Sequence, residues 1–231
     1  MLGHRLEKNL STLLTRAASI LILILVGGCD STEEADYTFP FEPGLEIKVK
    51  AFGQYYYSEV VKAEGAYVTW KLRWNERVVS LRKVYKGLIT VYESELERSF
   101  VNEFETASID ELFPLKVGKE TSFKGYRVSK EDGTEIPFWV HMVVREEDVI
   151  KVRDQEHRTF IIEITTEYEK PDEIVTVTRT LWYAPELGFS LKSDYRSQDE
   201  HFQMHVLSII RPEEEGPEGA RRRRTLGTVR I

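Results

Sequence analysis

Three of the five histidines in the chain have a spacing that could support metal chemistry. His201 and His205 are four residues apart, so they could share a side of either a helix or a strand, and His141 could approach them in the folded chain. Catalytic zinc usually needs three close ligands and a general base, and the H-E-x-x-H pattern does not occur. We therefore predict ordinary surface or strand histidines and no metal site.

The sequence also lacks the familiar patterns of nucleophilic and phosphate chemistry. Ser190 follows Gly188 and Phe189, but the second glycine of a G-x-S-x-G nucleophile elbow is missing. The segment "KVGKETS" lacks the glycine spacing of a phosphate-binding loop. Acidic residues are so numerous that no glycosidase-like pair of carboxylates stands out. The sequence therefore predicts no catalytic residue, no cofactor-binding residue and no cofactor.

Cys29 is the only cysteine, and it follows a short apolar segment. Residues 17–28 carry no charge, and as a helix they would extend about 18 Å, well short of the roughly 30 Å hydrocarbon core of a bilayer. Basic residues outnumber acidic ones upstream of this segment. A basic start, a short apolar run and small residues before a boundary are typical of an export signal, so we predict a signal peptide over residues 1–28.

The residues at this boundary resemble the lipobox of bacterial lipoproteins. Val26-Gly27-Gly28-Cys29 has an aliphatic residue and two small residues before a cysteine. The resemblance implies cleavage before Cys29 and attachment of a diacylglyceryl group to its sulfur, which would hold the protein on a membrane. Asp30 resembles the residue that keeps some lipoproteins in the inner membrane. The alternative is an incidental thiol after an ordinary signal peptide, and a single cysteine allows no intrachain disulfide in either case.

The rest of the chain is acidic. Residues 1–28 contain three basic side chains and one acidic side chain, which leaves 29 Lys and Arg against 38 Asp and Glu in residues 29–231. This net negative charge argues against general nucleic-acid binding, which needs basic surface to meet phosphates. It also disfavours broad adhesion to anionic lipid, except through the anchor and the C-terminal tail.

After Gly44 the sequence alternates between apolar and polar residues, as half-buried β-strands do. In "AYVTWKLRW", for example, Trp70 and Trp74 fall on the apolar side. Turn signals such as Asp132-Gly133 separate the strands at roughly ten-residue intervals. We predict an all-β, antiparallel fold, a curved sheet, barrel or sandwich of about ten strands, with at most one or two short helices. One helix is expected at "ASIDELF", with Ser108 as its N-cap.

Composition divides the chain into four segments. We predict a lipoprotein signal peptide over residues 1–28, an acidic flexible tether over 29–44, one antiparallel β domain over 45–211 and a disordered tail over 212–231. The tail contains a basic cluster that could contact anionic lipid or another acidic envelope polymer, or could fold back on the acidic domain. The cluster consists of Arg221, Arg222, Arg223 and Arg224.

Two segments of the domain resemble parts of uncharacterised bacterial envelope proteins and lipoproteins of mostly β structure. They are "LFPLKVGKETSFKGY", Leu112 to Tyr126, and "LWYAPELGFSLKSDY", Leu181 to Tyr195. The resemblance covers about thirty residues. It implies a β fold and an envelope location, and it implies no activity.

The aromatic residues of the predicted strands allow two interpretations. They could line a cavity for an apolar, lipid-like ligand inside a curved sheet, or they could fill the core of the domain. We favour the filled core. The residues concerned are Tyr55, Tyr56, Tyr57, Trp70, Trp74, Trp139 and Trp182.

These features together predict a membrane-anchored lipoprotein of the bacterial envelope, with its domain in the periplasm and the inner membrane favoured over the outer. The β domain is expected to be a non-catalytic binding or accessory module for a lipid, an envelope polymer or a protein partner. The alternative is an envelope hydrolase whose carboxylate or histidine site the sequence does not show. A cleft that gathers such groups with perturbed pKa values would favour the hydrolase.

Overall fold

The computed structural model describes residues 41–95 and 98–212, and these residues form one closed β-barrel. The strands in chain order are β1 Glu46–Ala51, β2 Gln54–Glu64, β3 Tyr67–Trp74, β4 Arg77–Tyr85, β5 Ile89–Glu95, β6 Arg98–Phe104, β7 Glu120–Ser129, β8 Glu135–Val152, β9 Gln155–Glu169, β10 Ile174–Ala184, β11 Phe189–Arg196 and β12 His201–Ile210. Each strand pairs antiparallel with its neighbours in sequence, and β1 pairs with β12 to close the barrel. The all-β prediction is confirmed, with twelve strands where the sequence indicated about ten.

One short helix, α1 Ala107–Asp110, lies in the connection between β6 and β7. The predicted N-cap was wrong. The N-cap residue is Thr106, which makes no side-chain capping hydrogen bond, and Ser108 already lies inside the helix. Within the described ranges, 41–95 and 98–212, no helix is both long enough and apolar enough to cross a bilayer.

Because every connection joins adjacent antiparallel strands, successive connections alternate between the two ends of the barrel. One end holds residues 41–45, which precede β1, and the connections after β2, β4, β6, β8 and β10, and we call it the apolar end. The opposite end holds the connections after β1, β3, β7, β9 and β11, together with the end of β5 and the start of β6, and we call it the polar end. The two names refer to the side chains that face the barrel interior near each end.

The apolar end is filled by packed side chains. Ile109, Leu112 and Leu115, from the connection between β6 and β7, are fully buried in one cluster with Ile162 and Ile164 of β9. Full burial of one such side chain contributes about 1.5–3 kcal/mol to folding. This end of the barrel therefore supplies much of the stability of the fold.

Phe41 also packs into the apolar half, although it precedes β1. Its ring centroid lies 5.7 Å from that of Trp70 and 6.3 Å from that of Phe189, and only 5% of its surface is exposed. The sequence placed Phe41 in the tether because strand-like alternation begins only after Gly44. The packed part of the chain therefore includes Phe41.

Two turns meet at the apolar end and close it. Gly87, after β4, has a φ of +68° and lies so near the turn after β10 that a Cβ there would clash with the carbonyl oxygen of Gly188. Glycine is required here both by the left-handed backbone and by the close approach. Nearby, the Tyr183 hydroxyl donates a hydrogen bond of 2.9 Å to the Lys86 carbonyl oxygen. These contacts join β10 to the turn after β4 across the barrel.

Candidate ligand site on the inner wall of the barrel

Arg179 of β10 lies on the inner face of the barrel. Its cross-strand partner on β9 is Ile164, which is fully buried and pairs in turn with buried Met142 on β8. Directly paired residues project from the same side of a sheet. On its other side Arg179 pairs with Tyr195 of β11. The sheet therefore directs the Arg179 side chain inward. Along β10 it lies next to buried Leu181 and one inward position closer to the polar end.

A second set of polar residues shares the inner face on β4, β5 and β6. Trp70 is buried on β3 and pairs with Arg82 of β4, which pairs with Glu93 of β5. Glu93 pairs with Phe100 of β6, and Asn102, two residues further along β6, projects from the same side. These residues therefore face the interior that Arg179 also faces.

The neighbouring strand β7 adds a third arginine, because Arg127 pairs with Asn102. We call this set of inward-facing residues the polar wall. The polar wall consists of Arg82, Glu93, Asn102, Arg127 and Arg179.

Two arginines of the polar wall share one carboxylate. Arg82 Nε lies 2.5 Å from Glu93 Oε1, and Arg82 Nη2 lies 3.1 Å from Glu95 Oε1. Arg127 Nη2 lies 3.9 Å from Glu93 Oε2, and its guanidinium carbon lies 4.1 Å from the centre of the Phe100 ring, a cation–π arrangement. Carboxylates therefore compensate the charges of Arg82 and Arg127.

Arg179 has no such compensation. Within residues 41–95 and 98–212, its guanidinium makes no hydrogen bond and no ion pair. Burial lowers the pKa of Arg179 below its usual value, and the like charge of Arg82 acts in the same direction while Glu93 opposes it. Arginine nevertheless stays protonated in proteins, so the inner wall carries a positive charge that its described surroundings do not neutralise.

Two further polar atoms on the same inner face lack partners in the described part of the chain. Ser80, which is 4% exposed and pairs with Glu95, has an unpaired Oγ. Asn102 donates through Nδ2 to the Thr90 carbonyl oxygen at 2.7 Å, but its Oδ1 accepts nothing. Buried polar atoms in folded proteins nearly always have a partner. Their presence indicates a place where a ligand or ordered solvent completes the hydrogen bonding.

Aromatic side chains continue the inner wall toward the polar end. The Tyr195 ring stacks on Phe202 with centroids 4.7 Å apart, and Phe202 lies 4.3 Å from Phe52 in the turn after β1. Phe52 is 63% exposed and has a φ of +51°, a strained backbone for a bulky residue. Tyr168 and Tyr195 are only half-buried although they face inward. The polar wall and exposed Phe52 at the rim of the polar end are thus joined by apolar surface.

The acidic group with the strongest hydrogen-bond set lies on the outer face and has a structural role. Asp194 is buried and accepts hydrogen bonds from Gln203 Nε2 at 2.7 Å and from Arg196 Nε at 2.9 Å, with His201 Nε2 at 3.3 Å. The bond from Arg196, followed by that from Gln203, holds the pKa of Asp194 well below its usual range. These contacts tie β11 to β12.

Tyr85 and Asp110 form a smaller polar cluster near the apolar end. The Tyr85 hydroxyl donates a hydrogen bond of 2.7 Å to Asp110 Oδ1, and Lys86 Nζ lies 2.7 Å from the same oxygen. Burial and the bond to Asp110 raise the pKa of Tyr85 to about 12. This cluster fastens α1 to the turn after β4 and contains no histidine or cysteine.

The three histidines singled out from the sequence do not come together as a site. All three lie on the outer face, where His141 Nδ1 lies 3.0 Å from Ser122 Oγ and His201 contacts Asp194. His205 lies on β12, and burial lowers its pKa, helped by two neighbouring lysines. In the described ranges no three His, Cys, Asp or Glu side chains are grouped as metal ligands.

The aromatic residues named from the sequence divide between the two faces. Trp70 belongs to the packed core of the apolar half, and Trp74 is 39% exposed at the polar end. Trp139 and Trp182 lie on the outer face, where Trp182 Nε1 donates to Asp148 Oδ2 at 3.0 Å. The four tryptophans therefore do not line one common inner surface.

The outer face carries one broad depression across β6 to β10, with a cavity volume of about 810 Å³. It is acidic and partly aromatic, and none of its lining residues is a histidine or a cysteine. We interpret it as a solvated acidic face. Its lining includes Glu103, Glu105, Tyr126, Trp139, Glu167 and Glu169.

The remaining predicted site residues, Cys29, Asp30 and the cluster Arg221–Arg224, lie outside the described residues. The polar wall itself was missed from the sequence. A signal for Arg179 was present, because it occupies an apolar position in the alternation of "IVTVTRTLWYA". On that strand Val177, Leu181 and Tyr183 take the equivalent positions.

The fold and the site together define a closed antiparallel β-barrel with a charged inner wall. No family model and no curated protein sequence matches the chain. The fold is similar to that of the hypothetical lipoprotein YmcC of Escherichia coli K12, with a TM-score of 0.51 and 10% identity, covering 74% of this chain and 86% of that chain. This similarity is one of fold alone.

Two other solved structures align at lower scores. A Bacteroides fragilis NCTC 9343 protein, described as exported and YmcC-like in fold, has a TM-score of 0.43 and 9% identity, covering 77% of this chain and 100% of that chain. A Parabacteroides distasonis ATCC 8503 protein, described as a lipoprotein, has a TM-score of 0.42 and 11% identity, with the same coverage of 77% and 100%.

Proposed function

We propose that this protein is a lipid-anchored lipoprotein of the bacterial envelope whose barrel is a non-catalytic binding module. The observation that carries the binding role is the uncompensated Arg179 on the inner wall, accompanied by the unpaired Ser80 Oγ and Asn102 Oδ1. Glu93, the carboxylate of this wall, and Glu95 beside it are both paired with arginines. Because both carboxylates are held in ion pairs, neither is available to accept a proton as a general base, which favours binding over hydrolysis.

The location rests on the N-terminal sequence. Val26-Gly27-Gly28-Cys29 fits lipid attachment at Cys29, and the protein named YmcC, whose fold is similar, is described as a hypothetical lipoprotein. The barrel would then lie in the periplasm. Asp30 after the lipidated cysteine favours the inner membrane over the outer membrane.

Replacing the lipid-attachment residue tests the anchor. We expect Cys29→Ser to move the protein from the membrane fraction to the fraction released without detergent, because acyl chains contribute about 0.8 kcal/mol per buried CH₂. The unmodified protein, carried through the same high-salt wash, is the control. A Cys29→Ser variant that stays on membranes through that wash would refute lipid anchoring.

Native mass spectrometry tests the binding module. The chain from Asp30 to Ile231, exported from a bacterial host, keeps every described residue and lacks only the predicted leader and Cys29. We expect an adduct of small-molecule or lipid-like mass that survives desalting. A clean mass of the protein alone, which also gains no adduct from added envelope lipid extract, would refute binding inside the barrel.

The basic cluster Arg221–Arg224 is proposed as a second contact with anionic lipid or an acidic envelope polymer. A charge near an anionic membrane contributes about 1 kcal/mol, so four arginines would reinforce the anchor. The cluster would act with the anchor, since the domain itself is acidic.

A further inference from the structure

We propose that the polar wall binds the anionic head group of an amphiphile, with Arg179 as its counter-charge and the apolar chain of the ligand directed toward the polar end. This inference rests on the proposed binding function and names the chemical class of the ligand. Three features of the inner face support it: an uncompensated charge, unpaired hydrogen-bonding atoms, and an apolar surface that extends from the polar wall to the rim of the polar end.

The charge of the site selects an anion. Arg82 and Arg127 are compensated by Glu93 and Glu95, whereas Arg179 makes no described ion pair or hydrogen bond. One uncompensated guanidinium matches one negative charge. A planar guanidinium also presents paired N–H donors that fit the two oxygens of a carboxylate or phosphate.

The unpaired hydrogen-bonding groups on the same inner face suit an oxygen-rich head group. Ser80 Oγ can donate or accept, and Asn102 Oδ1 can accept from a ligand hydroxyl. A head group that carries a hydroxyl beside its anion would satisfy the Asn102 acceptor, whereas a simple carboxylate would engage Arg179 and leave that acceptor to ordered solvent.

The surface between the polar wall and the rim suits an apolar chain. Phe100, Tyr168 and Tyr195 face inward and are half-buried, and the Tyr195–Phe202 stack leads to exposed Phe52. An aliphatic chain laid on such rings gains about 0.8 kcal/mol per buried CH₂. The opposite direction is closed by the packed core of the apolar end.

The test compares three probes, laurate, dodecyl maltoside and inorganic phosphate, by calorimetric titration below the micelle concentration. They supply an anionic amphiphile, a neutral amphiphile and a free anion. The protein is the chain from Asp30 to Ile231, as the unchanged sequence and as Arg179→Met. The matched control is Arg145→Met, which removes an outer-face arginine that pairs with Glu163.

We expect laurate to bind the unchanged chain and the control equally, and Arg179→Met about tenfold or more weakly, as loss of a charge-assisted hydrogen bond predicts. Phosphate and dodecyl maltoside should each bind more weakly than laurate. Circular dichroism verifies folding, and if Arg179→Met is unfolded, Arg179→Gln takes its place with the same expectation.

Three outcomes would overturn the inference in distinguishable ways. If laurate and maltoside bind equally well and Arg179→Met has no effect, the barrel binds amphiphiles without distinguishing their charge, so the binding module stands and the anionic assignment fails. If phosphate binds as tightly as laurate, the ligand is an anion and the apolar path has no role. Binding of none of the three probes to the unchanged chain also overturns the assignment, and the adduct experiment then decides whether the binding module itself survives.

Discussion

Replacing Arg179 by methionine should stabilise the ligand-free barrel. The side chain lies among Ile164, Leu181 and Tyr195 on the inner face and makes no described ion pair or hydrogen bond. Moving an unpaired charge into a protein interior costs several kcal/mol even after relaxation, and a long apolar side chain removes that cost. Because Arg179 is only half-buried, we reduce the expected gain to about 2 kcal/mol. For a domain of this size that gain corresponds to a rise of about 4–8 °C in melting temperature.

The assay is urea unfolding of the chain from Asp30 to Ile231, followed by tryptophan fluorescence and by circular dichroism. Coincident transitions from the two probes would justify a two-state free energy of unfolding. Arg145→Met is the control, because Arg145 lies on the outer face and its exposed ion pair with Glu163 contributes only about 0–1 kcal/mol. We expect the control to unfold at the same urea concentration or slightly below the unchanged chain.

The reasoning fails if Arg179→Met lowers the free energy of unfolding by about 1 kcal/mol or more while the control does not. Such a loss would mean that the guanidinium has a stabilising partner in the folded chain, so its charge would not be available to a ligand. Added laurate offers an internal check. It should raise the unfolding free energy of the unchanged chain more than that of Arg179→Met, because a ligand stabilises the state that binds it.

Three further predictions concern the frame around the site. Gly87→Ala should lower the unfolding free energy by about 3 kcal/mol or more in urea titrations, because the new Cβ would clash with Gly188 in a backbone that already has a positive φ. Gly133→Ala, at a similarly positive φ but with open space around it, should lower it by only about 1 kcal/mol. Equal losses would contradict the proposed contact. Asp194→Asn should lower the free energy of unfolding by about 1.5–3 kcal/mol at pH 7. Because the pKa of Asp194 is depressed in the folded state, this difference should be full above the unfolded pKa of about 4 and shrink as the pH falls below it. A difference that is constant between pH 7 and pH 3 would contradict the charge network. Truncation after Arg211, in a chain that also lacks the anchor, should weaken sedimentation with anionic vesicles and leave the melting temperature unchanged, and unaltered sedimentation would exclude the basic cluster as a membrane contact.

The sequence predicted the fold class well because strand alternation is a local signal. The turn at Asp132-Gly133 and the run "AYVTWKLRW" each contain their information within a few residues. Closure of the barrel is different, since pairing of β1 with β12 joins residues at opposite ends of the domain. No local pattern distinguishes that closed barrel from a sandwich, so the sequence left both open.

The site was harder to predict than the fold for a related reason. Arg179 could have been noticed as a charge at an apolar position of its strand, but its environment depends on strands that are distant in sequence. Register shifts also interrupt the inner face, for example between Lys83 and Val84 of β4. This shift skips Val91 of β5, so simple alternation along β5 cannot assign Glu93 to the interior.

The unequal ends of the barrel explain how it can tolerate such a site. Folding stability scales with buried apolar surface, and the apolar end contains a cap of fully buried residues that includes Ile109, Leu112 and Leu115. The polar end contributes less, because several of its inward side chains, such as Phe100, Tyr168 and Tyr195, are half-buried and one of its charges is unpaired. A barrel that served only as a rigid spacer would be more stable with an apolar residue at position 179, since the neighbours Ile164 and Leu181 are apolar. The arginine is therefore better explained by binding than by folding, and a gain in stability together with a loss of laurate affinity in Arg179→Met would separate the two roles.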